Sequence, residues 1–444
     1  MGILILHGYV VTMNAARDVF DCGFVLVADD GRIASVGPGS DAPGHHTGMV
    51  IDARGMIVVP GLINTHQHLW QHLVMGTAPE RAQVALDALR SALEPQDLRV
   101  ASTLAAAEML GGGTTCVLHH AVAGSDIQSL ADTIEPLAAF GMRQTVAIDH
   151  PSADDADLQA ALARWHGADD NRVRLAVHVA TDVCAVAQGR VHEHEIAAAY
   201  AFAQAHGLRL TTNTASGDDT PAWEAAMRKT GRSSVMHMME LGVLDSRWIL
   251  VHGDRLRDTD VLLMRESGCH AVAAPIADAL RGQGPSVWTA LARAGVPCAL
   301  ASDGPALSCT VDMVEQMKAL VLIQNTVRLD PTSMSAEAAL EMATLGGARA
   351  LGLEHEIGSL EAGKRADIAV FDMRGPHFQT MHKPITGLVC CARGSDVHVV
   401  LVDGSIVWQE GRPVAAWDPE ALAREGLERS ARWMARVSVA TAPV

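Results

Sequence analysis

Eight short apolar runs recur through the middle of the chain, and nearly all of them close on polar or ionisable residues. They are PGLINTHQH, GGGTTCVLHH, MRQTVAI, VRLAVHV, LRLTTN, WILVHG, CHAVAAP and VPCALASDG. Helical stretches separate them, such as the Ala/Leu/Glu/Met segment at about 97–110 and EIAAAYAFAQAHG. A strand, a helix and a further strand build a parallel βαβ unit, and this many units favour a closed (β/α)₈ barrel of the TIM type. A doubly wound open sheet is the alternative, but no glycine-rich dinucleotide turn supports it. The two ends have a different texture. ILILHGYVVTM and GFVLVADDGRIASVG near the start, and ADIAVFDM and HVVLVDGSIVWQEGRPV near the end, read as short alternating strands. Asp30-Gly31 and Asp403-Gly404 mark hairpin turns within them. The expected organisation is a barrel over residues 57–363 and a small β-sandwich domain assembled from 1–56 and 364–444. An amphipathic helix near 419–437 is expected to pack on the surface or on a partner subunit.

Bulk properties narrow the function classes. With 49% apolar residues in 444, a large core can be buried. The formal charge of −17 and the lack of a basic stripe argue against nucleic acid as a partner. Eight scattered Cys without a C-x-x-C pair are no disulfide framework, and a reducing cytoplasm fits them. The first residues alternate like a strand and lack a basic n-region, so they do not read as a signal peptide. No apolar run reaches membrane-spanning length.

The polar ends of the runs carry the chemistry. His66 and His68 lie at i and i+2 of a strand after a Pro-Gly break, so their side chains converge on one side. His178 closes VRLAVHV, His252 follows WILV, and Asp303 follows CALAS ahead of Gly304. Singly, each is as easily a satisfied core histidine or a turn aspartate. Together, in this order, they raise a metal site. Imidazoles with one carboxylate suit Zn²⁺ or Fe²⁺ and leave a position for water.

On PGLINTHQH, GGGTTCVLHH, LGVLDSRWILVHG, ASDGPALSCTVDMVEQM and MATLGGARALGLEHEIGSLEAGKRADIAVFD, the chain resembles the amidohydrolase superfamily. It is most similar to the branch of guanine and 8-oxoguanine deaminases, triazine hydrolases and S-adenosylhomocysteine-type deaminases. The resemblance runs through the tail GPHFQTMHKPITGLVCCARGSDVHVVLVDG. It implies one divalent metal, zinc or iron, at His66, His68, His252 and Asp303. It also implies that Asp303 takes the proton of an attacking water while ammonia or another group leaves an electron-poor ring carbon. Gln71, His120 and His178 match positions near a heterocyclic substrate. Homodimers or larger homo-oligomers are common in the family.

Two departures stand out. Where the family has a ligating His and, three residues on, a Glu, this chain has Asn213 and Ser216. The His expected on the strand after His252 is also missing, from Ala271-Val272-Ala273-Ala274-Pro275. A carboxamide is a poor Zn²⁺ ligand beside imidazole, and serine does not shuttle protons near neutral pH. Three readings follow. The first is a hydrolase of a C–N or C–halogen bond with a rearranged site. In it Asp219 or His178 supplies the leaving-group proton, Asp218 and Glu224 are further carboxylates, and Trp70, Asn213, Ser216 and His237 join the substrate wall. The second is a non-hydrolytic cyclase, isomerase or lyase on the same scaffold, with or without metal. The third is a catalytically silent binding subunit. Trp223 is read as packing.

Overall fold

The structure is a computed structural model that describes residues 2–75, 90, 92–122, 127–150, 155–214, 220–253, 255–283, 287–415 and 417–440. The apolar runs form eight parallel strands, β6 (Leu62–Gln67), β7 (Thr114–His120), β8 (Arg143–Asp149), β9 (Val173–His178), β10 (Leu210–Asn213), β11 (Trp248–Val251), β12 (His270–Ala273) and β13 (Cys298–Leu300). Each hydrogen-bonds to the next in chain order. The two outer strands meet through side chains: Thr65 Oγ1 donates to the Leu300 carbonyl at 2.8 Å, and the Asn64 carboxamide donates to Ser302 Oγ at 2.7 Å. The result is a nearly closed (β/α)₈ barrel.

Alternation along the strands explains the layering. Ile63, Cys116, Leu118, Ala147, Ala176, Ile249, Val251, Val272, Ala299 and Ala301 belong to one buried cluster, the barrel interior. The intervening Leu62, Val117, Val177, Trp248 and Leu250 pack outward against the helices. Small and branched residues on the inward positions are what a barrel of this width has room for.

Strands from both ends pair into one nine-stranded sheet. It contains β1 (Ile3–Val11), β2 (Val19–Val27), β3 (Ile33–Pro38), β4 (Met49–Asp52) and β5 (Met56–Pro60), with β14 (Ile368–Asp372), β15 (Val397–Val402), β16 (Ser405–Gln409) and β17 (Arg412–Pro413). The join is antiparallel pairing of β5 with β14, with Val58 opposite Val370. MIVV in β5 is apolar on both faces for a reason. Met56 and Val58 enter the sheet's own core, whereas Ile57 and Val59 enter the cluster shared with the barrel helices.

The helix Pro419–Ala440 packs on its own chain at the barrel mouth. Trp433 is fully buried and meets Trp70 edge-on at 5.7 Å between ring centroids. Ser430 Oγ donates to the Leu73 carbonyl at 2.6 Å. All eight cysteines are free thiols, and among the described residues no helix is long and apolar enough to cross a membrane.

Candidate active site at the barrel mouth

Simple alternation delivers some of the candidate side chains to the barrel axis and not others. Leu118, Ala147 and Ala176 point inward, so His120, Asp149 and His178, two residues on, do too. Asp303 keeps the same parity after Ala299 and Ala301. His252 does not, because it directly follows inward Val251. There the backbone turns into the left-handed region, with φ 68° at His252, and it does so again at Asp303, with φ 59°. Non-glycine residues seldom adopt this conformation, and strain of this kind concentrates at functional sites. His66 is also out of phase with Ile63, and the pairing register of β6 on β7 breaks between Asn64 and Gln67. Such an irregularity re-aims side chains at a barrel rim.

These turns bring four groups together. His66 Nε2 lies 3.4 Å and His68 Nε2 3.7 Å from Asp303 Oδ1, and His252 Nε2 lies 3.9 Å from Asp303 Oδ2. The ligand atoms of His66, His68 and Asp303 fall within 4.8 Å of one another. Burial works against the Asp303 carboxylate, but His66, Arg281 and His252 outweigh it and hold its pKa well below the ordinary range. Burial pushes His66 down, and burial with the neighbouring His66 pushes His68 down to about 3. Both imidazoles are therefore neutral at physiological pH.

Around this cluster lies a cavity of about 200 Å³ lined by Trp70, Gln71, His120, His178 and Asn213 among others. His120 sits between His66 and His178, with ring centroids 4.6 and 4.8 Å away. Gln71 is locked over the strand end, where its Oε1 accepts from the Ala306 amide at 3.2 Å. A Cβ on Gly304 would collide with this carboxamide. Gly304 has φ −79°, which alanine adopts without strain. Gly304→Ala is therefore expected to fold normally and to displace Gln71, and, with Gln71 on the substrate as the family resemblance implies, to raise KM about tenfold, the scale of one hydrogen bond worth roughly 1 kcal/mol. Steady-state kinetics with an unchanged KM would remove Gln71 from the binding wall.

Not every candidate reaches the cavity. His237 is buried in the helix Ser234–Glu240 with Nε2 3.4 Å from Glu193, and it does not line the cavity. Glu224 is exposed and pairs with Arg228, and Trp223 lies under the Arg255 guanidinium at 5.3 Å. Ser216, Asp218 and Asp219 fall outside the described residues. Three other residues are present that the strand-end reading missed. Asp149 bonds His178 Nδ1, and Asp278 Oδ1 lies 2.8 Å from His252 Nδ1. Arg281 Nη2 lies 3.1 Å from Asp278 Oδ1 and 3.8 Å from Asp303 Oδ2. Asp149 was visible in principle as a carboxylate one residue past the run MRQTVAI. Asp278 and Arg281 carry no such signal, because they come from the helix Pro275–Leu280 and its end.

The sequence profile of the Amidohydrolase family matches residues 57–407. The chain belongs to the amidohydrolase family. A 5-methylthioadenosine/S-adenosylhomocysteine deaminase of Syntrophobacter fumaroxidans is 30% identical over 433 residues, covering 92% of this chain and 93% of the relative. A 5'-deoxyadenosine deaminase of Methanosarcina mazei is 28% identical, with 98% and 99% coverage. Among solved structures, an adenosine deaminase from Xanthomonas campestris with bound zinc superposes with a TM-score of 0.87, at 25% identity and 98% coverage of both chains. The amidohydrolase chain is thus a hydrolase-class enzyme with the barrel of this family.

The family's metal can be tested against the residues present. Both ring nitrogens of His66 are buried without a hydrogen-bond partner among the described residues, a state that costs free energy unless another ligand satisfies them. His66 and His68 as neutral imidazoles and Asp303 as an ionised carboxylate are in the required ligand forms, whereas at His252 Asp278 outweighs burial and raises the pKa. Asp278 holds His252 through Nδ1 and turns its Nε2 toward Asp303. His66, His68 and Asp303 therefore fit a zinc-class ion.

Proposed function

We propose that the site hydrolyses a C–N bond of an aminated heterocycle and releases ammonia, with adenosine-type nucleosides as the substrate class. The convergence of His66, His68 and His252 on Asp303 beside a small polar cavity is the observation that carries this reading. The names of the relatives point the same way.

A metal held by His66, His68, His252 and Asp303 supplies Lewis acidity toward water. Asp303, kept ionised, accepts the proton of the attacking water. Gln71 and His120 orient the ring, and His120 Nε2 is buried with no partner among the described residues, so it is available to a substrate atom. The leaving amine needs a proton, and Asn213 has none to give as an acid. His178 is the donor in this scheme. Burial works against the Asp149 carboxylate, but contact with His178 keeps it ionised, and Asp149 in turn holds the imidazole in one orientation. This is a rearranged version of the family's acid/base chemistry, with a histidine–aspartate pair on β8 and β9 doing the work of a glutamate beyond β10.

The test is ammonia release from adenosine, 5'-deoxyadenosine, 5-methylthioadenosine and S-adenosylhomocysteine. Activity is expected to disappear on chelation and to return with zinc. A second reading rests on Asn213. At the end of β10 the cavity offers a carboxamide rather than an acid, which removes the family's usual proton donor and favours a reaction other than hydrolysis, such as cyclisation, isomerisation or elimination. Metal-loaded protein that binds these compounds but releases neither ammonia nor, from halogenated rings, halide would favour that reading over hydrolysis.

A further inference from the structure

The group least expected beside a metal site is a permanent cation, and Arg281 is one. Its side chain is only 7% exposed. Nη2 lies 3.2 Å from His252 Nδ1 and 3.4 Å from His252 Nε2. Near-equal distances to both ring nitrogens place it across the ring rather than in line with one lone pair, so the imidazole is not what holds it. Among the described residues the carboxylates do, with Asp278 Oδ1 at 3.1 Å and Asp303 Oδ2 at 3.8 Å. Asp278 and Arg281 sit three residues apart on one helical turn, so they reach the site as a unit. The guanidinium remains charged at any accessible pH.

We propose that Arg281 is a built-in competitor for the metal: it sits against Asp303 Oδ2 and the His252 ring, on the same carboxylate whose Oδ1 faces His66 and His68. This rests on the metal-assisted reading above. An incoming ion must either displace the guanidinium from Asp303 and the His252 ring or bind against a like charge a few ångströms away. In a water-poor pocket that repulsion is weakly screened. The chain thereby holds its metal loosely, in exchange between an arginine-closed state and a metal-loaded state. The missing imidazole at Asn213 acts in the same direction, because the ion has one ligand fewer to offset the repulsion.

The measurement is Zn²⁺ affinity, read by competition with a fluorescent chelator, for the wild-type chain, Arg281→Met and Arg281→Gln. Both variants remove the charge, and Gln retains a donor for Asp278, so it reports even if Met fails to fold. Arg349→Gln removes a surface arginine paired with Glu341 and sets the change due to net charge alone. The expected result is zinc bound at least tenfold more tightly by the Arg281 variants and unchanged by Arg349→Gln. Equal zinc affinity in all four proteins, or weaker binding in the Arg281 variants, overturns this inference and leaves the metal-assisted reading standing. No zinc bound by any of them overturns both.

Discussion

Asp303→Asn is expected to lower turnover of an aminated heterocycle by about a thousandfold, within the range for loss of a positioned acid/base group, and to leave the fold intact. Asparagine matches aspartate in shape and shares its tolerance for left-handed backbone, so φ 59° at this position costs the variant little more than the wild type. The Gly304 amide, which donates to Asp303 Oδ1 at 2.8 Å, finds an oxygen in the same place. What disappears is the charge. The carboxylate faces His66, His68 and His252 together, and it is the group that takes the water proton in the proposed reaction. A unit charge also vanishes from beside Arg281, so zinc affinity is expected to fall with the rate. Ammonia release within tenfold of wild type, from a variant with unchanged circular dichroism, would remove Asp303 from the mechanism.

Periodicity along the strands reveals part of this site and hides the rest. The strands of the barrel were legible because inward and outward positions alternate between small or branched residues and helix-facing ones, and their apolar runs end where the ring of functional groups begins. His120 and His178 follow that parity, so a strand-end rule finds them. His66 and His252 are out of phase and reach the axis only through a register break and a left-handed turn. The strand ends raise both as metal candidates and the family resemblance supplies their roles, but periodicity alone does not position them. Asp149 escapes the pattern by one residue, because the apolar run MRQTVAI ends at Ile148. Asp278 and Arg281 were out of reach for a different reason. They are an i, i+3 pair on a short helix, and such pairs are usually solvated surface ion pairs. Only the folded chain shows both side chains less than one-tenth exposed against His252. His237 illustrates the converse. A histidine near the expected mouth turns back toward Glu193, because its helix lies on the outer layer of the barrel.

Breaking the buried pair between Arg143 and Asp367 is expected to cost about 3–5 kcal/mol, as for other buried ion pairs that lose one partner. Arg143 opens β8, and Asp367 directly precedes β14, so the pair joins the foot of the barrel to the sheet domain. Nε donates to Oδ2 at 2.9 Å and Nη2 to Oδ1 at 3.1 Å, with both side chains 2% exposed. Asp367 Oδ1 also accepts from the Asp403 amide at 2.9 Å. Burial alone would depress the guanidinium's affinity for its proton, yet Asp367 outweighs it and holds that affinity above the ordinary value. Asp367→Asn keeps the volume and strands a buried guanidinium with Asp403 Oδ1 at 4.0 Å as its remaining counter-charge. Arg143→Met strands the carboxylate instead. In urea unfolding, each single variant is expected to lower the midpoint with an unchanged slope. The double variant Arg143→Met/Asp367→Leu is expected to lose less than either single, because neither partner remains as an uncompensated charge. A single-variant loss under about 1 kcal/mol, the scale of an exposed pair, would mean that this buried pair does little to join the domains and that apolar contact carries most of the join. In that case Ile57, Val59, Ala369 and Phe371, which turn from the sheet into the barrel's cluster, would be what joins them.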